Sequence, residues 1–189
     1  MDIGVELRVP GRFQRRNFAL AAAAAEAFLG RPLEREAVAV AAEEVRVPGR
    51  LEVVDERPMT IHDGAHNPSG AAALAESLPD LIGKRSPRTL VMSVLEDKDA
   101  AAMLHELLPL FDRAVYTRCE NPRSLSPATL DTLATKLGGP PSETVADPRG
   151  AVERARSLAG PDGAVVATGS IYLVADLVRG EKQARASTL

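Results

Sequence analysis

From residue 58 onward, short apolar runs alternate with stretches of helical pattern, and this alternation constrains the fold more than any other feature of the chain. Strands are expected at 58–62, 89–95, 113–117 and 163–168, with a weaker one near 143–146, and helices at 68–78, 99–108, 127–137, 148–159 and 171–178. A short strand over Leu51 to Val54 precedes them. Such alternation implies an α/β, Rossmann-like fold: a mostly parallel sheet flanked by helices on both faces, with right-handed crossovers. Aromatic residues make up only 3% of the chain and Trp is absent, which suits Ala-rich helices on a Val, Leu and Ile sheet better than an all-β sandwich.

The first 46 residues follow a different plan. Asp2 to Val9 alternates apolar and polar side chains as a half-buried strand does. Asn17 precedes an Ala-rich helix to Leu29 that Gly30 and Pro32 stop, and a second helix is expected from Glu34 to Glu44. One strand and two helices cannot close a core, so residues 1–46 read as the end of a domain whose start lies upstream. Val47-Pro48-Gly49-Arg50 then reads as the linker to a domain over 47–180, and 181–189 as a polar, frayed tail. An unpaired strand edge and an uncovered apolar helix face would make the chain on its own prone to self-association.

The net charge of −3 is spread over interspersed signs, and few rings are available for base stacking, so nucleic acid is not an expected partner. The single Cys119 excludes an internal disulfide and a multi-cysteine zinc site and reads as structural. Phe18 to Leu29 is interrupted by Glu26 and is too short to span a bilayer, so no membrane is expected and the cytoplasm is the expected compartment.

Chemistry concentrates in Thr60-Ile61-His62-Asp63-Gly64-Ala65-His66-Asn67-Pro68. Pro68 suits the first turn of a helix, so Asp63 to Asn67 form a strand-to-helix loop at the carboxyl edge of the sheet, where α/β folds bind ligands and free N–H groups attract anions. Asp63 is expected to be an exposed loop carboxylate; the plainer alternative is that Asp63 or Asn67 only caps the helix. Glu96-Asp97-Lys98-Asp99, Asn121-Pro122-Arg123 and Gly169-Ser170-Ile171-Tyr172 place further polar groups on the same edge, with Asp99 and Ser170 also readable as caps. Other motifs fail. Gly83-Lys84-Arg85-Ser86 lacks the glycine that a phosphate loop needs at Leu78 and the Ser or Thr it needs at Arg85, and no G-x-G-x-x-G follows a strand. His62 and His66 flank a loop and not one helix face, so no metal site is assigned.

Taken in order and spacing, Pro48-Gly49-Arg50, Asp63-Gly64-Ala65-His66-Asn67-Pro68, Asp97-Lys98-Asp99, Pro122-Arg123 and Gly169-Ser170-Ile171-Tyr172-Leu173 resemble the folylpolyglutamate synthase and dihydrofolate synthase family of the Mur ligase superfamily. Gly11-x-x-Gln14-x-x-Asn17 resembles the close of that family's central ATPase domain, so residues 1–46 would be a strand-helix-helix remnant of it and 47–180 a domain of the Mur ligase C-terminal type. Ser93 stands where the family has Gly. The phosphate loop and the magnesium ligands of the family belong upstream of this segment.

The resemblance implies an ATP-dependent ligase that phosphorylates a folate carboxylate and lets the amine of glutamate attack the acyl phosphate, with ATP and Mg2+ as cofactors. Asn17, Arg50 and Asp63 would contact the nucleotide; His66, Ser170 and Tyr172 would lie near the incoming glutamate and hold its carboxylates. The structural alternatives are a helix cap for Asn17, a solvated linker charge for Arg50 and a core position for Tyr172. A Mur-type central domain, upstream or in trans, would be needed for activity. Two further readings stay open: a non-catalytic domain that binds a small acidic metabolite or a protein partner, and the C-terminal domain of a muramyl-peptide ligase.

Overall fold

A computed structural model describes residues 7–186, with side chains described through Arg179. Most of the strand expected over Asp2 to Val9 lies outside the described residues. Residues 7–9 form a bend, and Arg8 N donates to Ala42 O at 3.1 Å. Two helices follow, α1 (Arg12–Leu29) and α2 (Arg35–Glu44). Helix α1 begins five residues before Asn17, because the polar run after Gly11 is itself helix-forming; Asn17 sits inside the helix and caps nothing.

Six strands then form one sheet: β1 (Glu52–Glu56), β2 (Met59–His62), β3 (Arg88–Met92), β4 (Arg113–Tyr116), β5 (Ser142–Thr144) and β6 (Ala164–Thr168). The spatial order is β1-β2-β6-β3-β4-β5, with β1 antiparallel to β2 and every other pair parallel. Crossovers run through α3 (Pro68–Ile82), α4 (Ala100–Leu107), α5 (Pro127–Lys136) and α6 (Pro148–Ala159), and α7 (Ile171–Ala186) follows β6. Three of these helices start alike. Asn67, Ser126 and Asp147 each precede a proline and accept an N–H from Gly70, Thr129 and Gly150, at 2.7, 3.1 and 2.6 Å. The proline needs no partner at that position and the cap satisfies one that does.

The period-two pleat sorts the core into two layers. Ile61, Leu90, Met92, Ala114, Tyr116 and Val166 meet α3, α4 and α5 on one face. Val91, Val115, Val165 and Ala167 meet Ala151, Ala155 and Ala159 of α6 and Leu173 and Leu177 of α7 on the other. Two elements run further than their patterns suggest. Helix α3 continues across Pro79 to Ile82, whose complete burial anchors the last turn, and α7 reaches Ala186 where a frayed tail was expected. Strand β3 instead stops at Met92. Ser93 still donates its N–H to Thr168 O at 3.2 Å, while its hydroxyl bonds Ser124 Oγ and the N–H of Cys119, both at 3.1 Å, which accounts for a fully buried serine at that position.

Candidate functional site

The carboxyl ends of the parallel strands carry the loops that hold the expected residues. The loop after β2 is fixed from both sides. Asp63 N donates to Ala167 O of β6 at 3.0 Å, and Gly169 N donates to Ala65 O at 3.0 Å, so the loop bearing His66 abuts the one bearing Ser170. Gly169 sits at φ +100°, and a Cβ there would lie 2.5 Å from Ser93 O, so only glycine lets the β3 and β6 ends approach this closely.

Asp63 is not an exposed loop carboxylate, as the sequence suggested; it is only 2% exposed. The side chain turns inward, where Oδ2 accepts the N–H of Leu51 at 2.9 Å and Oδ1 that of Ala65 at 2.8 Å. Burial pushes its pKa up, against the lowering effect of those two amides and of the nearby Arg50 and His66 charges. Nor is the Val47 to Arg50 segment a loose connection. Gly64 N donates to Gly49 O at 2.7 Å, and Gly49 N donates to Glu52 Oε2 at 2.7 Å. Leu51 holds a left-handed φ of +48° while 1% exposed, a conformation that a leucine keeps only where its surroundings over-determine it.

That turn brings Arg50 into a cleft of about 280 Å³ between α1 and the loop after β2, lined by Gln14, Asn17, Arg50, Asp63, Ala65 and Gly70 among others. The three residues assigned to the nucleotide therefore converge. Asn17 is exposed and donates to Gln14 Oε1 at 3.0 Å, while Arg50 is half-buried and forms no ion pair among the described residues. A guanidinium without a carboxylate partner beside two side-chain amides suits a phosphate or hydroxyl-bearing ligand, so these residues fit part of a nucleotide. Among the described residues no group of three or more His, Cys, Asp or Glu is placed to hold a metal ion.

The other three expected residues do not line that cleft: His66 is on the same loop, and Ser170 and Tyr172 are on the abutting segment that opens α7. His66 is half-buried, with Nδ1 at 2.9 Å from Gly64 O. Ser170 is 1% exposed, and its Oγ accepts the N–H of Tyr172 at 3.1 Å, so it caps α7 as its position allowed. Tyr172 is 39% exposed and is no core residue. Asn67 and Asp99 are caps, of α3 and α4. Asp97 pairs with Lys98 at 2.8 Å and Arg123 at 3.4 Å, which ties together two of the polar edges read from the sequence; the Lys98 contact chiefly holds its carboxyl below the usual range.

Sequence reasoning gave no role to Gln14 of the Gly11-x-x-Gln14-x-x-Asn17 segment; it is 7% exposed and in the cleft wall, and its i, i+3 spacing to Asn17 put both on one helix face. Gly49 and Leu51, which fix Arg50, carried no chemical signal of their own.

The family model described as the Mur ligase, glutamate ligase domain matches residues 49–171. The chain belongs to that family. The chain is 37% identical, over an alignment of 191 residues, to the dihydrofolate synthase/folylpolyglutamate synthase of Mycobacterium tuberculosis, which covers 88% of this chain and 38% of the relative. A crystal structure of the M. tuberculosis folylpolyglutamate synthase complexed with ADP and AMPPCP superposes with a TM-score of 0.84 at 38% identity, over 92% of this chain and 41% of that one. The UDP-N-acetylmuramoyl-L-alanyl-D-glutamate–2,6-diaminopimelate ligase of Corynebacterium efficiens is 30% identical over 192 residues, 95% of this chain and 36% of the relative. The chain thus spans about two fifths of the length of these relatives.

Proposed function

We propose that this chain is the carboxyl-terminal part of an ATP-dependent ligase that joins glutamate to a folate through an acyl phosphate, and that it works in the cytoplasm with a Mur-type central domain supplied upstream or in trans. One observation carries the reading most: the pinned 47–51 turn sets Arg50 beside Asn17 of α1 in a cleft whose floor is the Asp63 loop. Arg50 and Asn17 would meet the nucleotide, and Asp63 would hold the loop between them in shape. On the other side of that loop, His66 and Tyr172 would face the incoming glutamate, with Ser170 fixing the first turn of α7. The transferred phosphoryl group needs a backbone cradle, a lysine and a metal, which the phosphate-loop domain would bring.

The apolar face of α1 and α2 suits that partner. Leu20, Phe28, Leu29 and Val40 are 61%, 90%, 49% and 47% exposed, more apolar surface than two helices leave bare when nothing covers them. No helix among the described residues is long and apolar enough to cross a membrane.

Co-expression with the upstream part of the M. tuberculosis relative tests the proposal. Phosphate release should require ATP, a folate acceptor and glutamate together, and neither half alone should turn over. Turnover with a muramyl-peptide acceptor and diaminopimelate instead would favour the second reading, for which the C. efficiens similarity speaks. A complex that binds no nucleotide would leave the chain a non-catalytic binding domain.

A further inference from the structure

We propose that Asp176 is a positioning residue for the amino-acid site: it fixes the roll of α7 about its own axis and so sets where Tyr172 stands beside the loop after β4. The inference rests on the ligase reading above, and it follows from how α7 divides its faces. Residues three or four apart share one side of a helix. Leu173 and Leu177 lie in the core layer with Ala155 and Ala159 of α6. Ile171 and Val174 press on the turn that carries Arg50 and on the loop after β2. A Cβ on Gly64 would meet Ile171 Cγ2 at 3.1 Å, and one on Gly49 would meet Val174 Cγ1 at 2.6 Å. Tyr172 and Asp176 take the opposite flank, and there the loop after β4 arrives.

Asp176 is 8% exposed, and its Oδ2 accepts the N–H of Glu120 in that loop at 2.8 Å. Its Oδ1 pairs with Arg179, which also reaches Glu120 Oε2 at 3.6 Å. The two contacts differ in weight. The Arg179 and Glu120 side chains are 62% and 74% exposed, so their pair contributes little, whereas a shielded N–H left unmet is costly. The loop has no substitute acceptor to offer. The preceding N–H, of Cys119, goes to Ser93 Oγ at 3.1 Å, and Asn121 Oδ1 accepts the N–H of Arg123 at 3.0 Å. The path of the loop is thus set by side chains from the end of β3 and from α7.

Stability alone does not ask for a carboxylate here, because an apolar side chain would serve as well at a buried position. What the carboxylate adds is direction. Packing at Leu173 and Leu177 tolerates a small roll of the helix, but a hydrogen bond to one backbone N–H weakens steeply with distance and angle. Tyr172 lies one turn before Asp176 on the same flank and is 39% exposed, so a roll would carry its ring across the gap where the amino acid enters. The other flank is insulated. The turn bearing Arg50 keeps its place through bonds of its own, from Gly64 N to Gly49 O, Gly49 N to Glu52 and Leu51 N to Asp63. Loss of Asp176 therefore acts on the amino acid and spares the nucleotide.

Steady-state kinetics of the co-expressed assembly, with each substrate varied in turn, tests this. Asp176→Ala should raise the glutamate KM about tenfold or more, since a small displacement of an orienting group is felt at the substrate, and should leave the ATP KM parental. Asp176→Asn keeps an oxygen for the Glu120 N–H and should hold the glutamate KM within about twofold of the parent. In a Tyr172→Ala background, Asp176→Ala should add nothing further to the glutamate KM. Should Asp176→Ala fail to fold, Asp176→Ser, whose hydroxyl stops one bond short of the carboxylate oxygens, takes its place in each comparison. A parental glutamate KM without the carboxylate, an equal rise in the ATP KM, an Asn variant as impaired as the Ala variant, or additivity with Tyr172→Ala would each overturn the proposal and leave the ligase reading standing. A parent assembly that releases no phosphate in response to glutamate would overturn both.

Discussion

Asp63 Oδ2 accepts the backbone N–H of Leu51 at 2.9 Å, across twelve residues of chain, and thereby welds the segment carrying Arg50 to the loop carrying His66. The carboxylate's other oxygen is equally committed, to Ala65 N. Asp63→Asn keeps one acceptor and turns an amide hydrogen toward the other N–H, leaving a buried donor unmet. The expected cost is about 1–3 kcal/mol, or a melting temperature lower by about 2–12 °C for a chain of this size. Thermal melting of the chain alone checks this. Unchanged melting with weakened nucleotide binding in the assembly would return Asp63 to the role of a direct ligand.

That double commitment marks the limit of what the sequence makes legible. Strand and helix positions from β2 to α7 follow from periodicity and from prolines at helix starts, because local patterns are set by which face a residue must bury. The candidate residues Asn17, Arg50 and Asp63 also emerge from the motifs, and they do share a cleft. Whether Asp63 points outward or inward depends on Leu51 and Ala65 offering N–H groups in three dimensions, and no spacing rule encodes that. The same holds for Ser93, whose hydroxyl answers a donor on the loop after β4. Ser170 shows the opposite case, a cap readable from position alone.

Arg50 makes no ion pair among the described residues, so removing its charge should leave the fold intact and act on ligand binding. A charge-assisted hydrogen bond contributes about 1.5–3 kcal/mol, so Arg50→Gln should weaken nucleotide binding by the assembly roughly tenfold to a hundredfold. Calorimetric titration with ADP, alongside a melt that stays within a degree or so of the parent, is the measurement. Equal affinity in the two proteins would leave Arg50 a solvated linker charge.

Gly49 combines two constraints. Its φ is +67°, and a Cβ there would lie 2.6 Å from Val174 Cγ1 on α7. Gly49→Ala should therefore destabilise by about 1–3 kcal/mol, part from backbone strain and part from the clash. The two parts separate in a double-mutant cycle with Val174→Ala, which relieves the clash and not the strain. A favourable coupling between the substitutions is expected; strict additivity would mean that α7 does not press on the turn.

The last expectation concerns His62, which pairs with Glu52 across the β1–β2 ladder and is 3% exposed, with Nδ1 buried and unpartnered. Burial lowers its pKa from the ordinary 6.5, and the Glu52 charge only partly opposes this. With the folded-state value depressed, the unfolded chain takes up a proton more readily as the pH falls below about 6.5, so stability is fully present above that pH and is lost below it. Each unit of depression is worth about 1.4 kcal/mol once the pH lies below both values. Asp63, whose pKa is raised, works the other way: its stabilising contribution is complete below the ordinary carboxylate value and is lost as the pH rises through its folded-state value. The raw pH curve mixes these effects, and a comparison isolates the histidine. Denaturant melts of the parent and of His62→Gln between pH 7.5 and 5 should show the parent losing more stability across the window, and Glu52→Gln should steepen the parent's loss by removing the opposing charge. Parallel curves for parent and His62→Gln would mean that His62 titrates alike in the folded and unfolded chains, and that burial at the base of the Asp63 loop does not suppress its charge.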